Sequence, residues 1–160
     1  MPFVKGTFIP QSLSKVLVHI VYSTKGRHPW LTDKQIRQEL YAYKATILRN
    51  AVDTPALIIN GVEDHVHMLC LLSRKFAIMS IIEEAKTKTS KWLKKQSPDL
   101  SDFAWQGGYG IFSVSESNRD QVSSYIADQE RHHQKMSFQD EFRLLCKRHG
   151  IEIDERYVWD

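Results

Sequence analysis

Two histidines one residue apart, His65-Val66-His67, open an otherwise apolar run that ends at Leu72. On an extended strand, residues two apart share a face, with Cα atoms ~6.5–7 Å apart. Imidazoles so spaced can converge on one cation at ~2.0–2.1 Å from each ring nitrogen. The same pair also suits two half-buried histidines bonded to backbone or water, and the tripeptide alone leaves both readings open. A second constellation lies in Gln121-Val122-Ser123-Ser124-Tyr125-Ile126-Ala127-Asp128-Gln129. On a helix, Tyr125 and Gln129 project together, with Cβ atoms ~5–6 Å apart. A phenol can attack phosphorus as a covalent nucleophile, and an amide oxygen is a neutral metal ligand. Alone, the two residues equally suit the rim of an ordinary amphipathic helix.

The elements that must carry these residues follow from periodicity and punctuation. Lys15 to Tyr22 is β-branched and mostly apolar, which predicts a buried strand. Thr32 or Asp33 can cap a helix whose apolar positions Ile36, Leu40, Tyr43, Ile47 and Leu48 recur at spacings of three and four. Ala56 to Val62 and His65 to Leu72 read as a strand pair joined by a turn at Glu63-Asp64. A second helix is expected from about Ala77 to Gln96, ended by Ser97-Pro98. Ile111 to Val114 reads as a fourth strand, and Ser115 to Asn118 as the cap of one helix running to about His133. A shorter helix over Ser137 to Lys147 stops at His149-Gly150, and Ile151 to Trp159 reads as a final extended segment. This order is the split βαβ, ferredoxin-like one: an α+β domain with an antiparallel four-stranded sheet, two helices on one face and extra C-terminal helices. Residues 1–14 read as a loose leader and residues 15–160 as a single domain.

Bulk properties narrow the classes. A chain of 160 residues with 42% apolar and 26% charged residues is an ordinary globular composition. No apolar run approaches the ~20 residues of a membrane span, and the N-terminus lacks a secretory pattern. Cys70 and Cys146, far apart and outside any C-x-x-C spacing, favour free thiols and a cytoplasmic location. The net charge of +3 is too small to argue for nucleic acid, but Lys86, Lys88, Lys91, Lys94 and Lys95 crowd one stretch. With Arg27 in the Lys25-Gly26-Arg27-His28 loop, Lys86, Lys88 and Lys91 are candidate phosphate contacts; a solvated helix face explains them as well.

In conjunction, H-x-H on the third strand, a lysine-rich second helix and Y-x-x-x-Q after the fourth strand resemble the single-tyrosine transposases of the HUH nuclease superfamily. These are the insertion-sequence IS200-like and REP-associated enzymes. The resemblance runs from about Ser14 to the C-terminus and includes Leu17 to Lys25, Asp64-His65-Val66-His67, Lys86-x-x-Thr89-Ser90, Trp105-Gln106-x-Gly108-Tyr109 and Tyr125-Ile126-x-x-Gln129-x-x-His132-His133. It implies that His65, His67 and Gln129 bind a divalent cation, Mg²⁺ or Mn²⁺. It further implies that Tyr125 attacks a phosphate of single-stranded DNA placed by a hairpin, leaving a 5′-phosphotyrosine and a free 3′-OH. The family resemblance also implies a homodimer whose active sites are commonly shared between subunits. His19, on a strand expected beside the third, is then placed to support a ligating imidazole, and Asp64 suits either orienting one or simply closing the turn. A non-catalytic hairpin-binding protein and a metal hydrolase with water as nucleophile are the alternatives.

Overall fold

The computed structural model describes residues 10–160. Of the expected leader, residues 1–9 lie outside the described residues, and Pro10 to Ser14 are exposed and belong to no helix or strand. Four strands, β1 (Leu17–Ser23), β2 (Ala56–Gly61), β3 (His65–Leu71) and β4 (Gly110–Val114), form one sheet in the order β2-β3-β1-β4. Every neighbouring pair is antiparallel. Helices α1 (Lys34–Val52) and α2 (Ile78–Lys94) connect β1 to β2 and β3 to β4, giving the expected ferredoxin-like arrangement. Among the described residues no helix is long and apolar enough to cross a membrane.

The period of two along the central strands divides the core. Val18, Ile20 and Tyr22 of β1 and Val66, Met68 and Cys70 of β3 pack with Leu40 and Leu48 of α1 and Ile81 and Ala85 of α2. The other parity, Leu17, His19 and Val21 with His65, His67 and Leu69, faces the C-terminal helices, as the apolar clusters on that side record. Both faces are therefore covered. That is why β1 is buried at all seven positions while its sequence reads as a near-continuous apolar run.

Local chemistry fixes the ends. Asp33 caps α1, its side chain accepting from the amides of Gln35 and Ile36. The β2–β3 hairpin depends on Gly61, where a Cβ would lie 2.2 Å from the His65 carbonyl oxygen. No side chain fits there, so glycine holds the turn that presents His65. The Trp105 to Gly108 segment, one of the family-like motifs, is a structural dock. The Trp105 indole donates to Thr89 Oγ1, Gln106 exchanges bonds with the Ser23 backbone, and Lys86 Nζ donates to the carbonyls of Gln106 and Gly108.

Two expectations are corrected. The helix predicted to run unbroken to about His133 is two helices, α3 (Arg119–Ala127) and the single turn α4 (Gln129–His132), separated at Asp128. Asp128 has φ −98° and ψ 21°, and its amide bonds to the Tyr125 carbonyl three residues back instead of four. A last helix, α5 (Phe138–Arg148), capped by Ser137, follows as expected. The tail expected to be an extended segment joins no strand; its second half is turn, and Ile153, Val158 and Trp159 pack onto α5 through the cluster around Phe138 and Phe142.

Candidate active site

His65 and His67 both point from β3 to the face covered by α3, α4 and α5, and both are completely buried. Each ring is held at the nitrogen turned away from the centre. His65 Nδ1 lies 2.7 Å from Asp64 Oδ1, and His67 Nδ1 shares a 2.8 Å hydrogen bond with His19 Nε2 on the adjacent strand. Each Nε2 is thereby turned inward. Burial pushes His67 down to about 4, only partly opposed by Glu141. Burial acts the same way on His65, but its bonds to Asp64 and Glu141 outweigh it and hold the ring at about 9. Burial and then His67 lower His19 to about 3, so it supports its neighbour as a neutral ring.

Breaking the helix at Asp128 sets Gln129. Its side-chain amide donates to the Tyr125 carbonyl, which turns Oε1 to 3.3 Å from His65 Nε2. Glu130 beside it is tied to the buried Arg37 of α1, anchoring α4 to the body of the domain. Asn60 of β2 donates to the carbonyls of Ile126 and Ala127 at the break. The Tyr125 ring stands edge-on to His67, 5.9 Å between centroids. All four residues singled out from the sequence, His65, His67, Tyr125 and Gln129, thus meet within one chain.

A fifth residue, not singled out from the sequence, lies at the centre. Glu141 of α5 is buried, with Oε1 2.9 Å from His67 Nε2 and 3.4 Å from His65 Nε2. Its Oε2 accepts a hydrogen bond from the Tyr125 phenol and lies 3.1 Å from His133 Nε2 and 3.3 Å from His132 Nε2. Burial pushes the carboxyl up, but the surrounding imidazoles outweigh it and keep it well below the usual carboxylate range. One ligand atom from each of His65, His67, His133 and Glu141 falls within 4.8 Å of every other. Adjacent positions on one continuous helix diverge by ~100°, which would keep His132 and His133 apart. They converge on one carboxylate because α4 ends between them: His132 is its last residue and His133 its C-cap.

The nitrogen and oxygen donors suit a divalent cation. Although 3.1 Å from Glu141 Oε2, His133 Nε2 is among the described residues one of two buried side-chain polar atoms that complete no hydrogen bond, a feature a cation at this centre would remove. Beside Tyr125 a cavity of about 320 Å³ opens between β4, α3 and α5, with Asn118, Gln121, Arg148 and His149 among its lining.

The candidate phosphate contacts are not gathered here. Lys86, Lys88 and Lys91 belong to α2, which packs on the opposite face of the sheet. Lys86 is committed to the carbonyls of Gln106 and Gly108, Lys88 pairs with Glu84, and Arg27 donates to the Trp159 carbonyl.

The sheet order and the cluster of titratable side chains on one of its faces are those of a small α+β enzyme domain. Compared with known families, residues 12–129 match the one described as transposase, IS200-like, and the chain belongs to that family. The match ends before His132, His133 and Glu141. Solved structures with the same fold include a protein from Deinococcus radiodurans R1 ascribed transposase function, 21% identical with a TM-score of 0.56. That likeness covers 81% of this chain and 98% of the other. A REP-associated tyrosine transposase bound to a REP hairpin is 12% identical with a TM-score of 0.58, covering 79% of this chain and 74% of that one. No protein of curated function matches the chain.

Proposed function

We propose that this transposase cuts and rejoins single-stranded DNA beside a hairpin, with Tyr125 as nucleophile and His65, His67 and Gln129 holding a divalent cation, Mg²⁺ or Mn²⁺. The observation that carries this reading is that the Tyr125 phenol and the inward nitrogens of His65 and His67 all reach one carboxylate, that of Glu141. The family and the hairpin-bound neighbour of the same fold support DNA as the substrate class.

The chain's own residues account for most of the chemistry. Tyr125 attacks the phosphate; the bond from phosphorus to the 3′-oxygen breaks as the bond to the phenolic oxygen forms. The proton lost from the phenol is balanced by the one gained by the leaving 3′-OH. Burial and then the charge of Glu141 push the Tyr125 phenol upward, out of reach of ionisation in neutral solution. The nucleophile therefore needs both a proton acceptor and a compensating positive charge. Glu141 Oε2 holds the hydrogen bond along which the proton leaves. A bound cation would supply the charge that draws electron density from the phosphate oxygens. The cavity flanking Tyr125, with Arg148 in its lining, is where a nucleotide next to the scissile phosphate would sit. The phosphotyrosine keeps the energy of the phosphodiester, so a second 3′-OH rejoins the strand without a nucleotide cofactor.

The four residues of the reading meet within one chain, which favours an active site completed without exchange of the Tyr125 helix between subunits of a homodimer. Lys88, Lys91 and Arg27 would touch DNA only away from the cleaved phosphate. Incubating the protein with short hairpin-bearing single strands and Mn²⁺ or Mg²⁺ tests the reading, with a 5′-linked adduct on Tyr125 as the expected product. Binding without any adduct would leave a non-catalytic hairpin binder. Cutting by Tyr125→Phe would point to water as the nucleophile.

A further inference from the structure

We infer that Glu141, together with His133, completes the metal centre, so that the C-terminal helix supplies an anionic ligand to a site otherwise made of neutral groups. This rests on the reading that His65 and His67 bind a divalent cation.

Hydrogen-bond polarity at the centre calls for a cation. His65 Nδ1 faces the Asp64 carboxylate at 2.7 Å, so that nitrogen carries the hydrogen, and in the neutral ring Nε2 is left as a lone pair. His133 Nδ1 faces the Met136 carbonyl at 2.7 Å, which imposes the same tautomer. Both lone pairs then point at acceptors. His65 Nε2 faces Glu141 Oε1 at 3.4 Å and Gln129 Oε1 at 3.3 Å; His133 Nε2 faces Glu141 Oε2 at 3.1 Å. Lone pairs facing carboxylate and amide oxygens, with Glu141 almost wholly buried, require positive charge between them. Protons on the rings can supply it in the cation-free protein, and a divalent cation can supply it better. Ligand atoms held at ~2.0–2.2 Å from one ion lie no more than about 4.4 Å apart. The atoms of His65, His67, His133 and Glu141 all lie within 4.8 Å of one another, a few tenths of an ångström beyond that outer limit.

The carboxylate also changes the character of the centre. A site of two imidazoles and an amide leaves the ion its full charge; Glu141 reduces that by one, tightening the hold on the ion at some loss of pull on the phosphate. With its other oxygen on the Tyr125 phenol, Glu141 fixes the nucleophile relative to the ion. Glu141 and His133 both lie beyond the residues that match the family, so the added ligands come from a separate part of the chain.

Mn²⁺ titration followed by the EPR signal of the free ion, and by the rise in melting temperature, tests the assignment on the full chain. Glu141→Gln is expected to bind Mn²⁺ about tenfold more weakly or worse. A Glu141→Gln protein that melts cooperatively and keeps wild-type Mn²⁺ affinity overturns the inference; if His65→Ala meanwhile loses Mn²⁺, the reading of the histidine pair survives. Wild-type protein that binds no Mn²⁺ removes both. Should Glu141→Gln fail to fold, a wild-type crystal grown with MnCl₂ answers directly: Mn²⁺ at ligand distance from Glu141 supports the assignment, and Mn²⁺ on His65 and His67 with Glu141 turned away sinks it.

Discussion

The phenol of Tyr125 donates a hydrogen bond to the carboxylate of Glu141, sixteen residues further along, and the other oxygen of that carboxylate reaches His67 Nε2 at 2.9 Å. A helix-borne nucleophile and a strand-borne imidazole are thus connected through a single side chain from a third element. Tyr125→Phe removes one hydroxyl from this chain of contacts and leaves its ring packing on Leu17, Leu69 and Ile126 intact. The variant is expected to fold and to bind hairpin DNA as the wild type does while forming no covalent adduct. Gel retardation and denaturing electrophoresis on the same samples separate the two properties.

His19 acts on the centre only through His67. It sits on β1 opposite Leu69 in the ladder, and its ring crosses to His67 Nδ1, fixing which nitrogen of His67 faces the centre. Losing such a supporting bond lowers metal affinity by about 10–100-fold. His19→Leu should show that loss in Mn²⁺ titration with the fold preserved, and His19→Gln, which keeps a hydrogen-bonding group, should recover part of it. Equal affinities for His19→Leu and wild type would mean that His67 is oriented by packing alone.

Asn60 holds the break in the C-terminal helical segment. Its amide spans the Ile126 and Ala127 carbonyls, which the interruption at Asp128 leaves without helical partners. Two part-exposed hydrogen bonds together contribute about 1–2 kcal/mol. Asn60→Ala should therefore lower the melting temperature by a few degrees. Because Tyr125 sits directly before the break, adduct formation should slow by more than Mn²⁺ affinity falls. A change in affinity with no change in adduct rate would contradict this positioning role.

The parts of this site that were legible in the sequence share a short, regular spacing. His65 and His67 are two residues apart on a strand, a separation that fixes their common face before any tertiary contact is known. Tyr125 and Gln129 also came together as expected, although by a different route: the Gln129 side chain bonds to the Tyr125 carbonyl across a helix break instead of projecting from the next turn of one helix. Nothing in the run from Asn118 to His133 marks Asp128 as the break, since it lacks glycine and proline and tertiary ties to Asn60 and Arg37 hold the bend. Glu141 is 74 residues from His67 and belongs to no spacing motif. One signal was present: Phe138, Glu141, Phe142 and Leu145 follow the spacing of a buried helix stripe, and an acid within such a stripe needs a partner. The sheet was legible because its strands are short, mostly apolar runs bounded by turns. Where the lysines of α2 lie relative to the site was not legible, because charge density along a sequence does not say which face of a sheet the helix covers.

On the far face of the sheet, Lys44 is fully buried, donates to the Tyr22 hydroxyl at 2.6 Å, and lies over the Tyr22 and Trp105 rings. Burial, reinforced by nearby Lys86, holds its ammonium well below the usual lysine range. Below the ordinary value of 10.5 the unfolded chain binds a proton that the folded chain resists, so this residue makes stability rise with pH, by up to about 1.4 kcal/mol per pH unit. His65 works in the opposite sense: held at about 9, it contributes stability present below 6.5 and lost as the pH climbs through 9. The two largely cancel in the wild type around pH 7–8, above which Lys86, lowered by burial to about 8, adds a further rise; the difference between proteins isolates Lys44. Replacing both hydrogen-bonding partners, Lys44→Met with Tyr22→Phe, removes the lysine without stranding the tyrosine hydroxyl. The double variant should gain most over the wild type at pH 7, and its advantage should shrink steadily towards pH 9.5 in urea unfolding. Parallel stability curves across that range would show that Lys44 keeps its proton in the core, its charge held by the two aromatic rings.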